Sequence, residues 1–242
     1  MYSQNETKKY YDKESGQYSQ KRYARQDTYV QYFFQRRLYI VKSFLRKIVD
    51  NQKIKILDIG CADGVVTRDI FDTFESSIDH MVGVDISENM ISTAINMTDP
   101  EYKIQYVHKD YLVEKDFDLV LAMGYMSLPI LENEIQYLKQ HIKRGGYYVL
   151  TMAGNSSLHA RIKVKDKPYF ADLDSYMKYE SVLRKYFDII YSKPVGLFVP
   201  KLWAFSALAR KIQPILDVIF QKILPNLYHE KVYILRLKSD NI

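Results

Sequence analysis

The run Ile54-Lys55-Ile56-Leu57-Asp58-Ile59-Gly60-Cys61-Ala62-Asp63-Gly64 constrains this chain more than any other stretch, because an apolar strand carrying an acid near its tip enters a turn of small residues. A glycine at position 60 permits a positive φ or a close approach of ligand to backbone. Ala62 keeps the turn narrow, and Gly64 lets a following helix begin close to the sheet. Strand, small-residue turn and helix in that order belong to a parallel α/β sheet with a nucleotide-type site at the turn. The small residues fall two apart, not in the G-x-G-x-x-G spacing that seats a pyrophosphate on a helix N-terminus. Asp58 would repel a pyrophosphate but suits a ligand with a positive centre. The turn therefore favours a cationic nucleoside.

Two further acids follow at the ends of apolar runs. Asp85 closes Met81-Val82-Gly83-Val84, where a carboxylate can accept both hydroxyls of a ribose, and Asp110 follows Ile104-Gln105-Tyr106-Val107-His108-Lys109. With these in place, residues 50 to 155 resemble the class I methyltransferases that use S-adenosylmethionine. The family's first motif, acid-x-Gly-x-Gly-x-Gly, matches residues 58–64 with alanine in place of the middle glycine. The fourth-strand motif falls on residues 116–123, and a helix, Gly-Gly turn and fifth strand fall on residues 138–150. The resemblance implies S-adenosylmethionine as cofactor, held by Asp58, Gly60, Cys61, Ala62, Gly64, Asp85, Ile86, Asp110, Tyr111 and Met123. It also implies that the tyrosine-rich N-terminal stretch folds over the cofactor, with Tyr11 and Tyr18 against it and Arg22 on the acceptor side.

At 242 residues and 47% hydrophobic, the chain can bury one sizeable core, and a single domain is the economical count. Alternating strand and helix signals predict a doubly wound, mostly parallel sheet. Strands are expected near 54–58, 80–85, 103–107, 117–122, 147–152, 187–192 and 231–238. By the resemblance the last is an antiparallel seventh strand beside the fifth. The expected parts are a helical lid (1–50), a cofactor-binding core (51–192), a helical insert (193–228) and the last strand (229–242). One cysteine rules out a disulfide framework, and five scattered histidines show no ligand spacing, so no metal site is expected. The N-terminus lacks the apolar run of a signal peptide, and a cytoplasmic protein is expected.

Charge is unevenly distributed. Residues 1–53 hold 12 basic and 5 acidic residues, residues 193–225 hold 5 basic and 1 acidic, and the remainder is net acidic. In the insert Leu202, Phe205, Leu208, Ile212, Ile215, Ile219 and Ile223 recur every three or four residues, with Pro214 either kinking one helix or opening a second. Such a segment can pack on the sheet as a hairpin with a solvated basic face, wall a pocket, form a homodimer interface, or make peripheral membrane contact through 200–225.

A basic cover suits an acceptor that carries phosphate or carboxylate, or a nucleic acid. The Asp/Asn-Pro-Pro-aromatic motif of amino-methylating nucleic-acid enzymes is missing after the fourth strand, as is the cysteine of cytosine-C5 enzymes. Met123-Gly124-Tyr125-Met126-Ser127-Leu128-Pro129 stands there instead. The preferred reading is therefore O-methylation of a small-molecule or lipid-linked intermediate. RNA methylation and a non-catalytic cofactor-binding partner protein are the alternatives. His159, just after the fifth strand, is the base candidate. Tyr125 can orient an acceptor, and Ser127 and Arg161 can bind it.

Overall fold

A computed structural model describes residues 4–24, 27–49, 53–126, 128–163 and 173–238. Three helices, α1 (Gln4–Glu14), α2 (Tyr18–Arg22) and α3 (Tyr29–Ile48), precede the first strand. The core then alternates β1 (Ile54–Ile59), α4 (Val65–Phe74), β2 (Ile78–Asp85), α5 (Glu88–Asn96), β3 (Ile104–His108), β4 (Phe117–Met126), α6 (Leu128–His141) and β5 (Ile142–Ala153). It continues with α7 (Leu158–Lys163), α8 (Tyr176–Tyr186), β6 (Phe187–Val195), α9 (Ser206–Ile223) and β7 (Glu230–Leu237).

The seven strands form one sheet in the order β3-β2-β1-β4-β5-β7-β6. Strands β1 to β5 pair in parallel, and β7 lies antiparallel between β5 and β6. All seven expected strands are therefore present, including the antiparallel last one. Both faces of the central strands are covered, which is why their sequences read as continuous apolar runs. Leu57, Ile59, Val82, Val84, Val120 and Ala122 point into a core shared with α6 and α8. The alternate residues Ile56, Met81, Leu119, Leu121 and Met123 point into a second core under α3 and α4.

Helix α3 is thus a layer of the core, whereas α1 and α2 lie outside it. Thr28 caps α3 by accepting from the Gln31 N–H at 3.2 Å, and Val41 and Leu45 on its inner face are fully buried. Strand β5 begins at Ile142, earlier than the Gly-Gly pair suggests, because Gly145 and Gly146 make a bulge inside the strand instead of a turn before it. Gly145 has φ +71°, and the register jumps from Phe117↔Ile142 to Leu119↔Tyr147. Pro214 sits inside a single helix, α9, and does not open a second. The strand order reverses between β1 and β4, and at such a switch point the carboxyl ends of the strands leave a crevice for a ligand.

Candidate functional site

The turn after β1 is held by the neighbouring strand. The N–H groups of Gly60 and Cys61 both donate to the Val84 carbonyl, at 2.8 and 3.0 Å. Gly60 has φ +72°, the freedom its sequence position suggested, and Ala62 adopts φ +50° despite its side chain. Asp85 ties two loops together, since its Oδ2 accepts from the Ala62 N–H at 3.0 Å and its Oδ1 from the Ser87 N–H at 2.9 Å. Burial pushes its carboxyl above the usual carboxylate range. With a further bond from the Ile86 N–H, these use three of roughly four lone-pair positions and leave acceptor capacity for a ligand. Gly64, at φ +75°, serves packing: a side chain there would stand 2.5 Å from the Tyr106 hydroxyl oxygen.

Above this turn lies a cleft that opens to solvent. Its floor is Ile59, Gly60, Ala62, Val84, Asp85 and Ile86, and Lys109, Met123 and Gly124 form one side. Thr7 and Tyr11 from α1 and Tyr18 from α2 close it from above. This cover is fastened to the core at two points. The Ser87 hydroxyl donates to Asp12 Oδ1 at 2.5 Å, and Asp63 accepts from both the backbone N–H (2.9 Å) and the hydroxyl of Ser19. Glu14 braces the hairpin by pairing with Lys21 at 2.8 Å and Arg22 at 3.4 Å. The Arg22 guanidinium lies 4.1 Å from the centre of the Tyr18 ring.

A second pocket, about 250 Å³, adjoins the first at Gly60, Tyr18 and Met123, and adds Asp58, Cys61, Val66 and Tyr23. Asp58 accepts from the Thr67 hydroxyl at 2.6 Å, and burial pushes its carboxyl up to about 7. Behind Tyr23 runs a buried polar chain: Arg37 Nη2 donates to the Tyr23 hydroxyl at 3.2 Å, and Arg37 Nη1 pairs with Glu230 Oε2 at 3.2 Å. Gly124, at φ +77°, leaves the room Arg37 occupies, since a side chain there would lie 2.7 Å from its Nη1. Tyr23 also lines an outer groove of about 1310 Å³ between α3 and α9, with Arg36, Tyr39, Lys42 and Arg210.

The structure thus gathers Tyr11, Tyr18, Gly60, Ala62, Asp85, Ile86 and Met123 around one cleft, with Asp58 and Cys61 around the adjoining pocket. Arg22 stands over Tyr18 at the rim. Asp110 and Tyr111 do not line the cleft. They sit on a 3-10 turn after β3, with the Asp110 side chain 77% exposed, and their neighbour Lys109 faces the cleft. His159 lines neither pocket; its ring meets the buried His229 ring edge-on at 4.8 Å and Phe198 at 5.4 Å. Arg161 is exposed on α7. Ser127 lies outside the described residues, as does the side chain of Tyr125, whose backbone is in β4. Sequence reasoning missed Thr7, Tyr23, Arg37, Lys109, Gly124, His229 and Glu230. Among these, Tyr23, Lys109 and Gly124 fall within stretches already singled out.

The sheet order, the switch-point cleft, the glycine turn and the acid at the tip of β2 are those of the class I, Rossmann-like methyltransferase fold. Residues 56–146 match the model of a methyltransferase domain. The fold is that of magnesium protoporphyrin IX methyltransferase (ChlM) from Synechocystis PCC 6803 with bound SAH, at 13% identity and TM-score 0.68, over 98% of this chain and 100% of that one. It is also similar to the N-methyltransferase NodS from Bradyrhizobium japonicum WM9, at 13% identity and TM-score 0.57, over 85% and 87% of the two chains. The [4+2]-cyclase SpnF is similar at 16% identity and TM-score 0.57, over 82% and 80%. No curated protein matches the chain in sequence. Residues 56–146 thus match a methyltransferase domain, and the chain has the fold seen in an S-adenosylmethionine-dependent methyltransferase from Mesorhizobium loti, at 15% identity and TM-score 0.55, over 80% of this chain and 96% of that one.

The residues present fit that cofactor. Asp85 has acceptor capacity left for ribose hydroxyls, Gly60 bares backbone at the cleft, and Asp58 offers a carboxylate beside it for a cationic group. A pH dependence follows from Asp58. Its folded-state pKa lies above the usual 3.8, so the folded chain holds the proton more tightly than the unfolded chain. Stability is then greatest below about pH 4 for this group and is lost as pH rises towards 7, by at most about 4 kcal/mol. A cationic ligand favours the ionised form, so affinity for S-adenosylmethionine should rise with pH through 7. Asp58→Asn should flatten both trends, and calorimetric titration and urea melts between pH 5 and pH 8, roughly the range where native proteins are most stable, would read them out. An affinity rise unchanged in the variant would refute the assignment.

Proposed function

We propose that this enzyme transfers the methyl group of S-adenosylmethionine to an oxygen of a small-molecule or lipid-linked acceptor that carries an anionic group. The observation that carries this reading is that Tyr23 lines both the pocket at Asp58 and the groove bordered by Arg36, Lys42, Asp69 and Arg210. The pocket is narrow and aromatic, which suits a ring or chain. The groove carries Arg36 and Arg210 besides Lys42, which pairs with Asp69 at 2.7 Å, and this positive balance suits phosphate or carboxylate. The similar structure named for magnesium protoporphyrin IX, alike over nearly both whole chains, supports a small-molecule acceptor.

The bound cofactor supplies an electrophilic methyl group, so the work of the protein is to place the acceptor atom in line with it and to manage its proton. Burial keeps the Tyr23 phenol protonated, and because Arg37 donates to its oxygen, its own O–H remains to orient an acceptor oxygen. Tyr125, at the tip of β4, is assigned the same kind of role. His159 is kept as the base assigned in this reading, although its ring stands against Phe198 and His229 outside both pockets. His229 at its edge is kept neutral by burial. Arg22, Ser127 and Arg161 are assigned to the acceptor side.

The test uses S-adenosylmethionine labelled in the methyl group, incubated with separate pools of small metabolites, extracted lipids and RNA. Label should enter the metabolite or lipid pool as a base-labile or ether-linked methyl. Tyr23→Phe should lower kcat by about tenfold, the scale of one lost hydrogen bond, with cofactor affinity unchanged. Label in RNA would replace this acceptor class with nucleic acid. Cofactor binding with no label in any pool would turn the reading towards a non-catalytic partner, or towards other chemistry on this fold, as the similarity to a cyclase illustrates.

A further inference from the structure

Helix α9 is built inside out. The residues it buries are Ala209, Gln213 and Asp217, spaced four apart on one face. Gln213 and Asp217 bond inward to the body of the protein. Gln213 Nε2 donates to the Leu197 carbonyl at 2.9 Å and to Asp217 Oδ1 at 3.3 Å, and the Tyr228 hydroxyl donates to Asp217 Oδ1 at 3.2 Å. The opposite face holds Leu208, Ile215, Val218, Ile219 and Ile223, and Ile215, Val218 and Ile223 are 61%, 65% and 66% exposed. Phe205 extends this stripe beyond the start of the helix and Leu224 beyond its end. An apolar stripe on an 18-residue helix is about 27 Å long. The apolar periodicity in the sequence fits a helix packed on the sheet. The structure corrects that expectation, because hydrogen bonds from the polar face hold the helix and leave the apolar one outward.

We propose that this face docks on the surface of an anionic lipid bilayer. Lys201, Arg210, Lys211 and Lys222 are exposed along the same segment, and its one acid, Asp217, is buried under the helix. The segment therefore presents apolar and positive groups with no exposed negative one. A second copy would bring two such clusters together, and like charges in an interface cost several kcal/mol. An anionic headgroup layer complements them. The lysines keep their ammonium groups at the headgroups while the isoleucines enter the acyl boundary, the arrangement of an in-plane amphipathic helix. Among the described residues no helix is long and apolar enough to cross a membrane, so the contact is one of lying on the surface. Arg210 and Pro214 of the same helix border the outer groove, which places its mouth beside the docked face. The docking is read from α9 alone and stands whatever acceptor is methylated.

Sedimentation of the full chain with phosphatidylcholine vesicles, with and without phosphatidylglycerol, tests this. The chain should pellet with the anionic vesicles and far less with the neutral ones. Ile215→Ser/Ile219→Ser/Ile223→Ser should lower partitioning by about a hundredfold or more. Lys211→Gln/Lys222→Gln should lower it roughly thirtyfold, at about fivefold per lysine. All five side chains lie outside both pockets, so calorimetric binding of S-adenosylmethionine should be unchanged and will show that the variants are folded. The proposal is overturned if the chain stays in the supernatant with anionic vesicles, or if the triple variant partitions as well as the native chain. It is equally overturned if sedimentation velocity shows a dimer that the triple variant dissociates, since a second copy would then cover the face.

Discussion

Replacing Asp85 with alanine is expected to weaken binding of S-adenosylmethionine by about 3–5 kcal/mol, roughly two to three and a half orders of magnitude in Kd. Two losses add. The carboxylate lines the cleft with acceptor capacity left, and a charge-assisted contact to ribose is worth about 1.5–3 kcal/mol. The same carboxylate holds the Ala62 and Ser87 N–H groups, and without it two buried donors are orphaned at about 1–3 kcal/mol each. Part of that second cost falls on stability, so the melting temperature should drop as well. Asp85→Asn separates the two effects. An amide oxygen can still accept from one N–H, while the amide nitrogen faces the other with a donor, so an intermediate loss is expected. Calorimetric titration with S-adenosylmethionine and S-adenosylhomocysteine should show both ligands affected alike, because ribose is common to them. Unchanged affinity in Asp85→Ala would remove the ribose role from this residue.

Why Asp85 could be found in the sequence and its partners could not is a matter of range. An acid at the end of an apolar run is a local pattern, and the strand that carries it has its tip at the switch point whatever the rest of the chain does. The turn at 60–64 is legible for the same reason, since its conformations are set by residues within it. Even there the roles differ from the motif's appearance, because Gly64 makes room for Tyr106, whose packing on the turn is a tertiary contact. Asp110 shows the limit of reading by position. The 3-10 turn after β3 rotates the chain so that Lys109 faces the cleft and Asp110 faces water, and no periodicity announces a one-residue rotation. Helix α9 shows the limit of periodicity itself. A pattern of isoleucines every three or four residues gives a helix and an apolar face, but which face is buried depends on Leu197, Pro194 and Tyr228, whose contacts with Gln213, Gln221 and Asp217 are not encoded nearby.

The pair that most depends on distant chain segments is Arg37–Glu230, and Arg37→Leu is expected to destabilise the fold by about 3–5 kcal/mol. The side chains are 1% and 6% exposed, so removing the guanidinium leaves Glu230 as an uncompensated charge under α3. Replacing both partners should recover most of the loss, because an apolar pair of similar volume avoids the desolvation cost that the ion pair must overcome. Urea unfolding of Arg37→Leu, Glu230→Leu and the double variant therefore makes a cycle, and strong coupling is the expected result. Additive losses would mean that the two groups are held by other neighbours. The functional consequence should not follow the stability. The double variant regains its fold but still lacks the donor to Tyr23, so it should bind S-adenosylmethionine normally and remain slow in methyl transfer. The rings of Phe34 and Phe33, with centres 4.5 and 5.7 Å from the Arg37 guanidinium carbon, fix that group from the sides. Arg37 thus joins α3, the last strand and the candidate acceptor pocket, and a burial this costly is explained by what it positions at least as well as by what it stabilises.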